Sequence, residues 1–274
     1  MNRVDEGGRL RPGRPLCWAA LGLTALLVAC SPGTKGPNSP LRVGMELAYP
    51  PFEMRDAEGA PAGVSVELAR ELGRALGRSV EIENIAFDGL IASLKTGKID
   101  LIISSMTSTQ QRAKSIDFSE PYLKTGLCLL VGKESEVEGF GDVLVGEGSV
   151  VVKTGTTGHH QAVQSLPRDR ILVLDSESSC VLEVVQGKAI AFIYDQMSTY
   201  KNWQRNPSTT RAILTPFRTE SWAIGVRKGR EELLADVNGF LRSFREAGGF
   251  DHLGARFLAE QKQAFEGLGI EFYF

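Results

Sequence analysis

Patterns typical of β-strands and α-helices alternate along the first part of the folded chain, and this alternation limits the possible folds most strongly. Short apolar runs at 41–45, 80–85 and 100–104 are separated by helical patterns at 64–77 and 88–97. The longer helical pattern repeats apolar residues at intervals of three and four and ends at a glycine. The order β-α-β-α-β predicts an α/β sheet with parallel strands.

A second series of the same kind follows a charged, glycine-rich stretch at 133–142, which we interpret as a boundary. The strand pattern of 125–132 precedes this stretch, and strands alternate with helices again from 149 to 195. Two amphipathic helices are predicted further on, over 230–247 and about 249–265. The 274 residues therefore predict two α/β units of similar construction.

The N-terminus has the features of a secretion signal. Several arginines precede an almost wholly apolar run from Leu16 to Ala29, which is too short for an ordinary transmembrane helix. The run ends in "LVAC", and Cys30 in this setting resembles the lipidated cysteine of bacterial lipoproteins. We therefore expect a signal peptide at 1–29 and acylation of Cys30. An ordinary secretion signal with an incidental cysteine is the alternative.

A segment rich in proline, glycine and serine follows the predicted lipid site. Residues 30–40 are expected to be a flexible tether that holds the folded body outside the cytoplasm, in the periplasm or at the cell surface. Contact with the membrane would then be through the lipid anchor only. Cys128 and Cys180 each lie in an apolar run, and two separate buried thiols are expected rather than a disulfide.

Charge and histidine content argue against two classes of function. The formal net charge is −2 and no basic run follows the signal, which disfavours a nucleic-acid partner. His159 and His160 are adjacent, so they point in different directions on a helix, and no cluster of cysteines or histidines accompanies them. We therefore predict neither a metal nor another cofactor.

Several blocks of sequence, in a fixed order, resemble one family. They are "YPPFEMRDAEGAPAGVSVELARELGRALG" (49–77), "GLIASLKTGKIDLIISSMTSTQQRAKSIDFSEPY" (89–122), "KTGTTG" (153–158), "YDQ" (194–196) and "WAIGVRKG" (222–229). Each short block is weak evidence alone, but the ordered set is specific. The chain resembles the amino-acid-binding receptors of ABC importers, solute-binding protein family 3, over essentially all of 41–265.

The resemblance implies the type II periplasmic-binding-protein fold, in which two α/β lobes are joined by a pair of hinge strands. The ligand binds between the lobes, which close on it. Because the chain crosses the hinge twice, lobe 1 is expected at 41–127 plus 220–274 and lobe 2 at 128–219. Receptors of this kind imply a monomer whose partners are an amino acid and an ABC permease.

An arginine is the expected partner of the ligand carboxylate. A free amino acid carries a carboxylate and an ammonium group that both lose water on binding, and arginine offers the carboxylate a fork of charged donors. Arg112 occupies the arginine position of the family motif. The resemblance implies this ligand role, whereas the residue alone would also suit a surface charge on a helix.

The resemblance implies further contacts from both lobes to the same end of the ligand. Ser105 and Thr107 match positions that offer a carbonyl, a hydroxyl or an N–H, although hydroxyls at strand ends also cap turns. In lobe 2, "GTTG" (155–158) predicts a glycine-rich turn into a helix. Thr156 and Thr157 would direct N–H and hydroxyl donors from this turn to the carboxylate.

Three residues match the positions that bind the ammonium group and the apolar stem of the ligand. Asp195 ends an apolar strand at the ammonium-binding position, although it would also suit the N-cap of the helix that follows. Tyr49 and Phe87 match the two aromatic positions on either side of the ligand side chain.

The far end of the ligand is expected at Glu46 and Lys153. An acid and a lysine together offer an acceptor and a donor, which suits a neutral amide and resembles the glutamine-binding branch, whereas an acid alone would suit a basic side chain. The alternative is that the two side chains pair with each other or point away. We therefore expect a polar amino acid, glutamine first and basic amino acids second.

The sequence thus predicts a lipid-anchored binding protein that delivers an amino acid to an ABC permease and has no enzymatic activity. One alternative is a dehydratase acting on prephenate-like acids, which needs a general acid in the cleft, with Glu46 as the candidate. The other is a sensor that reports ligand occupancy to a signalling partner.

Overall fold

The computed structural model describes residues 39–270, which form an α/β structure around one large sheet. Eight strands pair in the order β4-β1-β5-β10-β6-β9-β7-β8, and β2 and β3 form a separate hairpin. The strands are β1 (Leu41–Met45), β2 (Met54–Arg55), β3 (Pro61–Ala62), β4 (Val80–Asn84), β5 (Leu101–Ile102), β6 (Asp117–Gly132), β7 (Val150–Lys153), β8 (Ile171–Leu174), β9 (Ala191–Asp195) and β10 (Thr210–Val226).

Helices cover both faces of the sheet between the strands. They are α1 (Val64–Ala75), α2 (Leu90–Lys95), α3 (Gln110–Ala113), α4 (Phe140–Val145), α5 (Thr157–Ser165), α6 (Glu177–Val185), α7 (Gln196–Arg205), α8 (Glu231–Glu246), α9 (Gly249–Phe257) and α10 (Ala259–Gly267). Short 3-10 turns lie at Phe87–Gly89 and Arg168–Arg170. None of the helices within residues 39–270 is long and apolar enough to cross a membrane.

The predicted β-α-β-α-β order is present in the first half of the sheet. Strand β1 pairs in parallel with β4 on one side and β5 on the other. The connecting helix α1 places Val64, Leu68 and Leu72 on one buried face, because residues four apart share a side of a helix. A parallel pair needs such a crossover, so the apolar face packs back on the sheet.

The second half repeats this construction with β7 between β8 and β9, again in parallel. Helix α6 begins at the N-cap Ser176, whose hydroxyl accepts a hydrogen bond from the N–H of Ser179 at 3.1 Å. Its residues Cys180, Val181 and Val184 are buried against the sheet. Cys128 and Cys180 are both free and buried, in agreement with the expectation of separate thiols.

Two long antiparallel strands, β6 and β10, connect the halves. Strand β10 pairs with β5 at Gly225 and Val226, while the far part of β6 pairs with β9 from Leu127 to Val131. The pairing between β6 and β10 is irregular between Ile213 and Arg218. These strands lie where the sequence predicts the hinge; the exact lobe boundaries remain a prediction.

Some element boundaries differ from the sequence predictions. Helix α4 begins inside the stretch interpreted as a boundary, and β10 begins at Thr210, well before the family block at 222–229. The last predicted helix is divided at Leu258 into α9 and α10. The predicted signal peptide, the predicted lipid site Cys30 and most of the predicted tether lie outside the described residues.

Candidate ligand-binding cleft

The predicted ligand-binding residues gather at one cavity of about 40 Å³ between the two halves of the sheet. Turns that follow β1, β5, β7 and β9 supply most of them, because the carboxyl ends of parallel strands meet at one edge of a sheet. Every predicted ligand residue except Lys153 lines this cavity: Glu46, Tyr49, Phe87, Ser105, Thr107, Arg112, Thr156, Thr157 and Asp195.

Arg112 is a buried cation rather than a surface charge. It lies in α3, whose N-cap Thr109 accepts the N–H of Arg112 at 3.2 Å, and it is 6% exposed. Its guanidinium donates to the carbonyl of Thr107 at 2.7 Å and to that of Gly155 at 3.0 Å. Burial lowers the pKa of Arg112 to about 10, so the side chain is still charged at neutral pH. The remaining N–H groups of the fork are available to an anion.

The hydroxyls of the cleft threonines are directed to protein acceptors. Those of Thr107 and Thr157 both donate to Oε2 of Glu220, at 3.0 and 2.8 Å. The hydroxyl of Thr156 donates to the carbonyl of Lys153 at 2.8 Å and caps α5 by accepting the N–H of His159 at 3.2 Å. The donors that α5 can offer an anion are therefore the N–H groups of its first turn rather than threonine hydroxyls.

Ser105 has a left-handed backbone, with φ of 47°, at the turn after β5. Its hydroxyl donates to Glu53 at 3.1 Å. The neighbouring Ser104 accepts the N–H of Glu46 at 3.0 Å and donates to Glu53 at 3.4 Å. This turn is therefore held by side-chain hydrogen bonds to an acid from another part of the chain.

Glu53 is a lining residue of the cleft that the sequence analysis did not assign. It is 1% exposed, and the hydroxyl of Ser65 at the start of α1 donates to it at 2.6 Å. Burial raises the pKa of Glu53 to about 8, against the opposing effect of the serine hydrogen bonds. In the sequence, its position inside the family block at 49–77 is the feature that could have pointed to Glu53.

Asp195 is both a helix cap and a cleft residue. Its Oδ1 accepts the N–H of Ser198 at 3.0 Å, which caps α7, and the hydroxyl of Tyr49 at 2.5 Å. Burial raises its pKa to about 6. The nearby Lys201 is paired with Glu177 at 3.0 Å rather than with Asp195. A ligand ammonium group would supply the cation that this half-buried acid favours.

Two aromatic side chains stand beside these charged groups. Tyr49 is buried, stacked on Phe52 with ring centroids 5.6 Å apart and edge-on to Trp222 at 6.0 Å. Phe87 is half-buried, with the guanidinium of Arg112 5.3 Å and Nζ of Lys153 5.8 Å from its ring centroid. Both rings offer flat apolar surface to the stem of a ligand.

Glu46 and Lys153 form an ion pair with each other. The pair joins the end of β1 to the end of β7, with side-chain exposures of 18% for Glu46 and 6% for Lys153. The sequence left open whether these two side chains pair with each other, and in the structure they do. Lys153 therefore contacts the cleft residue Glu46 but does not line the cavity itself.

The two adjacent histidines of α5 lie side by side. The rings of His159 and His160 are stacked with centroids 5.9 Å apart. Within residues 39–270 no three histidine, cysteine, aspartate or glutamate side chains are grouped so as to hold a metal ion.

Comparison with known proteins places the chain among binding proteins. ABC transporter glutamine-binding protein GlnH of Bacillus subtilis is 26% identical over 213 residues, covering 74% of this chain and 75% of GlnH. A crystal structure of a mutant of ArgBP from T. maritima is 33% identical with a TM-score of 0.73, covering 80% of this chain and 95% of that chain. An ancestral arginine-binding protein bound to glutamine is 31% identical with a TM-score of 0.73, covering 80% and 97%.

These similarities confirm the predicted fold, the α/β periplasmic-binding-protein fold of type II. GlnH and the ancestral protein are both named as amino-acid-binding proteins. A model of the family described as "Bacterial extracellular solute-binding proteins, family 3" matches residues 41–260, which is most of the chain. The chain therefore belongs to the bacterial extracellular solute-binding proteins, family 3.

Proposed function

We propose that this protein captures a polar amino acid between two closing lobes and delivers it to the permease of an ABC transporter. The observation that carries the proposal is the convergence of a buried arginine, Arg112, and a half-buried aspartate, Asp195, on one small cavity. A zwitterion needs one cation and one anion at a fixed separation, and neither charge of the ligand can be buried cheaply without its partner.

The two ends of the zwitterion have separate partners in this proposal. The carboxylate binds the remaining N–H groups of Arg112 and the first-turn N–H groups of α5. The ammonium group binds Asp195 through Oδ2, since Oδ1 already accepts two hydrogen bonds. Tyr49 and Phe87 flank the stem of the ligand side chain, and Ser105 and Thr107 form the floor of the site.

Glutamine is the first candidate ligand and basic amino acids are the second. The Glu46–Lys153 pair offers one acceptor and one donor to a side-chain amide. A guanidinium or ammonium side chain would approach Glu46 beside the positive charge of Lys153, which costs Coulomb energy. The relatives support both candidates, because an ancestral arginine-binding protein has been crystallised with glutamine.

Closure and anchoring complete the proposal. Lobe 1, at 41–127 and 220–274, rotates against lobe 2, at 128–219, about the paired strands β6 and β10. The signal peptide 1–29 is removed, Cys30 carries the lipid, and the tether at 30–40 keeps the monomeric body close to its permease outside the cytoplasm.

Titration calorimetry of the mature protein against each standard amino acid, with prephenate as a control, tests this function. We expect saturable binding of glutamine, weaker binding of basic amino acids and no turnover of prephenate. Arg112→Ala should abolish the binding. If no amino acid binds, or if prephenate is converted, the proposal is wrong.

A further inference from the structure

Glu220 lies in the cleft wall, although the sequence motifs assign it no role. It belongs to β10, opposite Thr125 of β6, and its side chain is 2% exposed. One carboxylate oxygen, Oε2, accepts the hydroxyl hydrogens of both Thr107 and Thr157. Thr107 follows β5 in the first half of the sheet, whereas Thr157 begins α5 in the second half. A single oxygen of a connecting strand thus joins the two sides of the cleft.

Arg112 holds the same two turns through their backbone. Its guanidinium donates to the carbonyl of Thr107 and to that of Gly155, next to the α5 cap. Glu220 and Arg112 attract each other, since each stabilises the charged form of the other. The anion Glu220 therefore accepts the hydroxyl hydrogens of these two turns, and the cation Arg112 donates to their carbonyls. The same two turns are proposed to bind the ligand carboxylate.

The other carboxylate oxygen of Glu220, Oε1, and the burial of the side chain do not stabilise the folded protein. Its Oε1 has no hydrogen-bond partner within residues 39–270, and the nearest cation, Nε of Arg218, is 3.8 Å away. Burial raises the pKa of Glu220 above its ordinary value. Burying an acid that leaves one oxygen without a hydrogen bond costs folding energy, so the favourable contacts of this side chain are those that Oε2 makes with the two cleft turns.

We infer that Glu220 is a positioning residue that fixes Thr107 and Thr157, and with them the two walls of the carboxylate site. The inference rests on the proposed amino-acid-binding function. Each hydroxyl hydrogen is directed to Glu220, which fixes the side chains of Thr107 and Thr157 and with them the N-terminus of α5, whose first-turn N–H groups are proposed to bind the ligand carboxylate. The bonds to charged Oε2 are stronger than bonds between neutral groups.

A double-mutant cycle read out by binding affinity tests this inference. L-glutamine and L-arginine are titrated into the wild type, Glu220→Ala, Thr157→Val and the double variant. We expect Thr157→Val to weaken binding by about tenfold and Glu220→Ala by at least as much, in line with a charge-assisted hydrogen bond. The double variant should bind no more weakly than Glu220→Ala, because both changes remove the same bond.

Two further variants separate positioning from general damage. Thr125→Val removes a buried hydroxyl that makes no hydrogen bond within residues 39–270, on the strand opposite Glu220, and should leave the affinity unchanged and the melting temperature no lower than that of the wild type. Glu220→Gln keeps an acceptor oxygen without the charge, so it should bind with intermediate affinity and melt no lower than the wild type.

The outcomes distinguish the two proposals. Independent losses that multiply in the double variant, or a Glu220→Gln protein as weak as Glu220→Ala, would overturn the positioning role alone. Wild-type affinity in Glu220→Ala would overturn it as well. A wild type that binds neither amino acid overturns the proposed function, and this inference with it.

Discussion

At the scale of single residues, the cleft is marked by acids whose carboxylates are held mainly by hydrogen bonds rather than by close ion pairs. Burial raises the pKa of Glu53, Asp195 and Glu220, and each is held by hydrogen bonds from hydroxyl or N–H groups. Charged groups in low dielectric favour a partner of opposite sign. Asp195 is the one whose partner we propose to be the ligand.

The affinity for an amino acid should therefore decrease as the pH falls through about 6. The pKa of Asp195 in the free protein is raised to about 6, and its ionised form binds the ammonium group. The affinity for the amino acid is therefore at its maximum above that pH. Below it, the affinity falls by up to about tenfold per pH unit. Calorimetry across this range measures the effect. The Asp195→Asn variant should bind the amino acid weakly, and its affinity should not change with pH in this range. If the same pH dependence persists in the variant, Asp195 is not the group that titrates.

Glu53 should make the folded protein less stable as the pH rises from about 4.5 to about 8. The pKa of Glu53 is raised from 4.5 in an exposed state to about 8 on folding. The protonated side chain therefore contributes its full stability to the fold below pH 4.5, and this contribution is lost as the pH rises to about 8. Urea unfolding at both ends of this range tests the sign. Glu53→Gln should be more stable relative to the wild type at the higher pH. The exposed Glu81→Gln serves as control, and an equal response of both variants would refute the effect.

At the scale of elements, the sequence predicts regular structure well and misses what depends on distant partners. Strand β1 and helices α1 and α6 follow their apolar periodicity closely. Helix α4 has no such period; the carboxylate of Asp142 accepts the N–H groups of Glu138 and Gly139 at its start. Strand β10 resumes its pairing beyond a break, which a local pattern does not reveal.

The same limit applies to the site. Arg112, Asp195 and the threonines were identified through the resemblance to the family, and the structure brings them together. Glu53 and Glu220 were not assigned, because their partners are as far away in sequence as 52 and 113 residues. Their roles emerge only when the sheet has brought those segments into contact.

The packing of α5 on β9 should be sensitive to one methyl group. A Cβ at Gly158 would lie 2.4 Å from the carbonyl oxygen of Ile193, a backbone atom that cannot move aside easily. We expect Gly158→Ala to lower the free energy of unfolding by about 1–3 kcal/mol and to weaken ligand binding, because α5 moves. Gly141→Ala in α4 has open space and should be neutral or stabilising by about 0.5–1 kcal/mol. Equal unfolding curves for both variants would contradict this packing.

At the scale of the whole molecule, the cleft is closed by contacts between its two walls. The guanidinium of Arg112 reaches Gly155, the hydroxyl of Tyr49 reaches Asp195, and Glu46 pairs with Lys153. Strands β6 and β10 carry the chain between the halves beside these contacts. In our proposal a ligand strengthens this closed arrangement by binding both walls at once, and the permease recognises the result.

The central claim is that the cleft recognises an amino acid by its two opposite charges. A crystal structure of the mature protein with L-glutamine tests this most directly. We predict the ligand carboxylate within hydrogen-bond distance of the Arg112 guanidinium and the ammonium group within the same distance of Asp195. A ligand bound elsewhere, or with its ammonium group remote from Asp195, would contradict the account.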